Sequence, residues 1–182
     1  MKTSDLDPNP MAGLLAADHR TGAERAALTL LEYGDYECPS CREAAPVARH
    51  LVDAFGDRLT FIFRHFPLVE VHPHAELAAE AAEAAAAQHK FWPMHHLLFE
   101  QAPHLALPVL TRHAQTIGLD MLRFNAEMAD RIYTQRVQEH RRSGEQIGLR
   151  GSPSFFLNGQ HVDVSFGLEH LEKAVRAALG EA

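Results

Sequence analysis

The only two cysteines in the 182-residue sequence are Cys38 and Cys41, spaced as C-x-x-C within Glu37-Cys38-Pro39-Ser40-Cys41. A disulfide between them closes a very small ring, and the stabilisation attributed to lost chain entropy grows with the loop closed, so bracing is a poor explanation for the pair. Three readings meet the spacing: a dithiol that exchanges with other disulfides, half of a metal site, or two ordinary buried thiols. Exchange needs a thiolate, and an unperturbed cysteine is only a few per cent ionised at neutral pH. The neighbourhood must therefore stabilise an anion on one sulfur.

The elements flanking the motif are suited to that task. Ala26 to Tyr33 is a short apolar run ending at Gly34, which predicts a buried strand. From Ser40, the residues Ala44, Val47, Ala48, Leu51, Val52 and Phe55 recur at three- and four-residue intervals up to Gly56, which predicts an amphipathic helix. Cys38 then sits at the helix N-terminus, exposed to attack, with Cys41 less accessible in the first turn. Unpaired N–H groups and the positive dipole end favour an anion on Cys38. Pro39 at the first helical position costs no hydrogen bond and pre-sets the turn. Ser40 adds a hydroxyl but no positive charge, so the expected acidification of Cys38 is moderate. Glu32, six residues before Cys38, is placed beneath the helix start; a buried carboxyl there has a raised pKa and can exchange a proton with Cys41, whereas an exposed one forms a salt bridge. Asp35 and Glu37 read as solvated charges that tune the thiol.

Leu59 to Phe63 predicts a second strand, ended by Pro67, so residues 26–69 begin with a βαβ unit and a parallel, right-handed crossover. No strand signal follows until residue 148. His74–Gln88, Phe91–Glu100, Pro108–Ile117, Asp120–Asp130 and Ile132–Ile147 all carry helical patterns, which makes 70–147 an all-helical insertion. Ser154–Leu157, the turn pair Asn158-Gly159 and Gln160–Val164 predict a hairpin, and Leu168–Leu179 a closing helix, so 148–182 rejoins the first part. Residues 1–25 read as a loose lead-in with one helical turn at most. The fold class is α/β, βαβ followed by a helical block and ββα.

Bulk properties exclude several functions. A net charge of −7, a pI near 6.0 and the lack of a Lys/Arg-rich run argue against nucleic acid or an anionic membrane surface as partner. Nothing approaches the ~18 apolar residues of a membrane span. The acidic start Met1 to Asp7 is unlike a signal peptide, which makes a cytoplasmic location the expectation. In that reducing setting, close cysteines are more often catalytic or metal-binding than structural. For the metal reading, His65, His72, His74, His95 and His96 are the available partners for a Cys2His2 site, though none shows the spacing of known zinc modules.

Gly151-Ser152-Pro153-Ser154 adds a proline directly before an apolar strand, the one context in which a cis peptide is cheap. With LLEYGDYECPSC, FRHFPLVEVHPHAELAAEAAEAA, KFWPMHHLLFE and GSPSFFLNGQ, the sequence from about Ala26 to Leu179 resembles the DsbA-like disulfide oxidoreductases of the thioredoxin-fold superfamily. The resemblance implies a thioredoxin-like fold with a helical insertion, and a dithiol that works through a mixed disulfide with protein or small-thiol substrates. Under it Cys38 attacks, Cys41 resolves, Glu32 is the buried acid, Pro153 is a cis-proline facing the dithiol, and Ser152 binds an extended substrate through its backbone. No metal or organic cofactor is implied, only protein thiol or disulfide substrates and an unidentified redox partner. Ser152 replaces the commoner threonine, Ser40 the commoner histidine or aromatic residue, and Pro93 interrupts a helix start, so the redox poise and the direction of reaction stay open. The rival of a different class is a thioredoxin-like module that binds clients or senses redox state without turnover.

Overall fold

The structure, a computed structural model, describes residues 18–101 and 104–181. Its chain enters the sheet earlier than the sequence suggests. His19–Gly22 forms strand β1, antiparallel to β3 (Leu59–His65), with His19 opposite Phe63 and Gly22 opposite Thr60. The reading of 1–25 as a loose lead-in is corrected for this part, and residues 1–17 lie outside the described ones. HRTG has no apolar alternation to reveal it, because β1 is an edge strand with alternating half-buried and exposed residues. Gly22 is obligatory there: its φ is +87°, and a Cβ would stand 2.2 Å from the Leu59 carbonyl oxygen.

Strand β2 (Leu28–Gly34) runs parallel to β3, connected through helix α1 (Pro39–Phe55). Helices α2 (Ala75–Ala86), α3 (Phe91–Gln101), α4 (Leu107–Thr116), α5 (Met121–Ala129) and α6 (Thr134–Gln146) form the helical insertion. Strands β4 (Ser154–Leu157) and β5 (Gln160–Val162) and helix α7 (Glu169–Ala178) complete the chain. Among the described residues the sheet order is β1-β3-β2-β4-β5, with β4 antiparallel to β2. This is an α/β thioredoxin-like fold carrying a helical insertion.

Period-two alternation sends the residues of β2 to two cores. Leu28 and Leu30 join the large cluster of α1, the insertion, Phe61, Phe63 and Phe155, while Leu31 and Tyr33 pack with Ile62, Phe66 and Phe156 on the other face. The alanines of α2 are buried on all sides, their small side chains admitting the neighbouring helices. Pro93 does not displace the start of α3: it is the third residue of the helix, where the N–H would be unpaired. Pro46 is interior to α1 and removes a bond to the Arg42 carbonyl one turn beyond Cys41. Asn158 and Gly159 have φ of +47° and +84°, the conformation of a tight two-residue hairpin turn. Asn158 also reaches the start of β2, donating its N–H to the Thr29 carbonyl at 2.8 Å and accepting the Thr29 N–H on Oδ1 at 2.7 Å. Among the described residues no helix is long and apolar enough to cross a membrane.

The smaller core face holds a buried ion pair. Arg64 donates to Asp18 through Nε at 3.0 Å and Nη2 at 2.9 Å, and through Nη1 to the Tyr33 hydroxyl at 2.9 Å. Removing one member strands the other charge. Asp18→Ala is expected to cost about 3–5 kcal/mol in urea unfolding, and adding Arg64→Met should recover a large part of that loss.

Candidate active site

The ladder between β2 and β4 ends at Tyr33 opposite Ser154, so Ser152 and Pro153 lie just past it, where the turn leading to Cys38 begins. The Ser152–Pro153 peptide is cis. Cys38 is the N-cap of α1, in extended backbone conformation with φ −72° and ψ 123°, and no side chain caps that helix start. Pro39 follows at the first helical position, as expected, with its ring exposed. The Cys38 thiol lies 3.4 Å from the Ser152 carbonyl oxygen. Contrary to the expected exposure, Cys38 is only 6% exposed, and Cys41 is completely buried. The order of accessibility is as expected, but both sulfurs are largely screened from water.

The two sulfurs are electrostatic opposites. Cys38 is lowered to about 5, chiefly because the Cys41 thiol donates to it; burial opposes this, and the Cys41 N–H, the Ser152 hydroxyl and the Ser40 N–H add to it. Acidification is thus stronger than the moderate effect expected, since the principal donor is the second cysteine and Ser40 acts through its backbone. Burial pushes Cys41 well above an ordinary thiol, assisted by its role as donor and by the Glu32 and Cys38 charges. The Asp35 N–H approaches the Cys41 sulfur at 3.4 Å.

Glu32 shares the face of Leu28 and Leu30, the face that α1 covers, and is paired in register with Phe63 on one side and Phe155 on the other. It is 1% exposed, and its Oε1 has no hydrogen-bond partner among the described residues. Burial first, and the Cys38 charge second, raise it to about 8. Gly34 makes room for this arrangement: a Cβ there would meet the Phe63 ring at 2.5 Å and Glu32 Oε1 at 3.0 Å.

Asp35 and Glu37 are not the solvated charges the sequence suggests; they are 1% and 7% exposed. Asp35 accepts the Glu37 N–H on Oδ1 at 2.8 Å, and on Oδ2 the Leu68 N–H and the His72 Nδ1, each at 2.8 Å. Glu37 accepts the His74 N–H at 2.7 Å, its ring Nδ1 at 3.0 Å and the Leu105 N–H at 3.1 Å. Burial pushes Glu37 up, but these donors prevail and leave it below the usual carboxylate range. Asp35 and Glu37 are thus anchored by several donors each, while Glu32 Oε1 meets none among the described residues.

The histidines named as partners for a metal are engaged elsewhere: His72 with Asp35, His74 with Glu37, and His95 through Nδ1 with the Tyr36 hydroxyl at 3.0 Å. His96 lies on the outer cleft between α1 and α3. His65 meets Glu83 Oε1 at 2.9 Å and His19 meets the same oxygen at 2.7 Å. That trio is the group of possible metal ligands among the described residues, it contains neither cysteine, and its ligand atoms already satisfy one another. Beside Ser152 and Pro153 opens a cleft of about 500 Å³, reaching from Ser40 and Glu43 to Val162, Asp163 and Leu168. The Ser152 hydroxyl is buried at its edge, where it favours the anionic form of either sulfur.

A C-x-x-C pair at the start of α1 thus faces a cis-proline loop across the end of a thioredoxin-like sheet. The chain belongs to the thioredoxin family, whose model matches residues 15–177. It is similar to a thioredoxin-like oxidoreductase from Silicibacter pomeroyi (TM-score 0.81, 25% identity, 98% of this chain and 100% of that one). The oxidised BdbD of Bacillus subtilis shares the fold (TM-score 0.79, 19% identity, 90% and 93% covered). In sequence, the chain is 40% identical over 161 residues to a Na(+)/H(+) antiporter NhaA 1 of Salinispora arenicola, covering 88% of this chain and 24% of the antiporter. A counterpart in Herminiimonas arsenicoxydans is 35% identical over 161 residues, with 88% and 25% covered. The chain thus spans about a quarter of the length of these relatives.

The state of Glu32 has a thermodynamic signature. Its folded pKa of about 8 lies above the unfolded value near 4.5, so between those pH values the folded chain binds the extra proton and stability falls as pH rises. The Cys38 thiolate, with its folded pKa below the unfolded one, contributes the opposite slope between about pH 5 and 9. In reduced Cys38→Ser, where the opposing slope is gone, urea unfolding should show stability declining by a few kcal/mol upward from pH 4.5. A further Glu32→Gln should flatten that decline.

Proposed function

We propose that the chain is a thiol–disulfide oxidoreductase working through a mixed disulfide on Cys38. The observation that carries this reading is geometric: Cys38 stands at the N-cap of α1, 3.4 Å from the carbonyl of the cis Ser152–Pro153 loop, with Cys41 wholly buried one turn behind it. In the reducing direction the Cys38 thiolate attacks a substrate disulfide, forming a Cys38–substrate bond and expelling the other substrate sulfur as a thiolate that takes a proton from water. Loss of the Cys38 charge removes one of the two causes that keep Glu32 protonated. Glu32 gives its proton to solvent and then accepts that of Cys41. The Cys41 thiolate attacks Cys38, releasing the second substrate sulfur and leaving a Cys38–Cys41 disulfide. Two electrons have passed from the dithiol to the substrate disulfide, and the reverse sequence oxidises a substrate dithiol. The cis Ser152–Pro153 loop and the adjoining cleft supply the surface for an extended substrate segment.

Thiolate stabilisation favours the reduced form, so the reading places this dithiol on the oxidising side of thioredoxin. The reduction potential, measured by equilibration with glutathione, is expected between about −270 and −120 mV. Cys38→Ser should abolish turnover of a model disulfide and Cys41→Ser should accumulate the mixed disulfide. A Cys38→Ser variant with unimpaired turnover rules the reading out.

A second reading, a redox-sensing or client-binding module without turnover, is favoured by one observation: the relatives similar over most of this chain are named as antiporters, of which it matches about a quarter. It predicts a dithiol that oxidises and reduces stoichiometrically, with no steady-state turnover under any reductant. It also predicts that client binding survives Cys38→Ser.

A further inference from the structure

Asp35 is joined to the dithiol turn by both its backbone and its side chain. Its N–H points at the Cys41 sulfur at 3.4 Å, and its carbonyl accepts the Cys38 N–H at 3.2 Å. Its carboxylate closes the turn from within, through the Glu37 N–H at 2.8 Å, and is gripped from outside by the Leu68 N–H and the His72 ring, each at 2.8 Å. A carboxylate at 1% exposure is held in place by such donors, since leaving them would strand an ion in the core. The side chain thereby fixes its own peptide groups, and those peptide groups touch one sulfur and the amide of the other cysteine.

We infer that Asp35 is a positioning residue for disulfide exchange: anchored by Leu68 and His72, it fixes the 35–38 turn so that the Cys41 thiol stays aimed at the Cys38 sulfur. The inference rests on the exchange reading above. It differs from an electrostatic role in sign. A nearby negative charge disfavours a thiolate, so if the charge were all that mattered, any neutral replacement would make Cys38 more acidic to the same degree. Asp35→Asn removes the charge but retains an oxygen for the Glu37 N–H; Asp35→Ala removes the charge and every anchor. The gap between the two variants therefore reports the positioning that the one retained oxygen supplies.

The test is the pH dependence of iodoacetamide alkylation of Cys38, located by mass spectrometry, in the reduced wild type, Asp35→Asn and Asp35→Ala, with folding verified by near-UV circular dichroism. Positioning predicts an apparent thiol pKa higher by about one unit in the alanine variant than in the asparagine variant, roughly a tenfold loss of thiolate at pH values below both. Equal values in the two variants, or a lower one in alanine, overturn the inference. A wild-type Cys38 that titrates as an ordinary thiol defeats the exchange reading instead. Should Asp35→Ala not fold, amide hydrogen exchange in the reduced wild type decides: Asp35 and Leu68 should be protected together, and rapid exchange at Asp35 beside a protected Leu68 overturns the inference.

Discussion

A sulfur anion can be kept nearly out of water only where donors are already aimed at it, and the site is arranged around that constraint. At 6% exposure Cys38 has little solvent to call on, so the anion depends on the Cys41 thiol, the first amides of α1 and the turn that presents them. The requirement propagates outward. Cys41 must remain protonated to donate, hence its complete burial; α1 must begin without a side-chain cap, hence a cysteine at the N-cap and proline after it. A second anion beneath the helix would oppose the first, and Glu32, between Phe63 and Phe155, has no donor at Oε1 among the described residues.

Three buried carboxyl groups in the six residues before Cys38 differ in the donors that reach them. Glu32, Asp35 and Glu37 are all nearly inaccessible. Asp35 and Glu37 each meet three donors, most of them amides at loop and helix starts, while Glu32 Oε1 meets none among the described residues. Donor supply therefore separates the two anchored carboxyls from Glu32. The donors come from the segments bordering the insertion, so the helical block does more than cover the sheet: it furnishes the polar groups that make charge tolerable next to the dithiol.

The fold was largely legible because its signals are local. Apolar runs at 26–33 and 59–63, the 3.6-residue pattern after Ser40, and Asn158-Gly159 each specify an element by themselves. Strand β1 escaped because an edge strand needs no apolar face. The cysteines and Pro153 were legible as spacing, and the face of Glu32 became definite only with the strand pairing. The roles of Asp35 and Glu37 were not legible, because their partners lie 33 to 68 residues away and consist mostly of backbone N–H groups, which carry no residue signature. The acidity of Cys38 is hidden in the sequence for a related reason: its principal donor is the neutral thiol three residues on and not a charged neighbour at position 40.

The Asn158 contact with Thr29 concerns a part of the molecule remote from the sulfurs, about five residues and roughly 17 Å along β4 from Pro153. A strand pinned at one end cannot slide, and in a sheet a slip of one residue exchanges its two faces. The hairpin tip thus acts as the ruler that sets how far the Ser152–Pro153 loop extends past β2. Loop tips are ordinarily the forgiving places in a protein, open to insertion, permutation or fusion of another domain. This one is not, and a graft intended to spare the dithiol would do better at the exposed start of α5, where Leu122 faces solvent and no strand register is at stake.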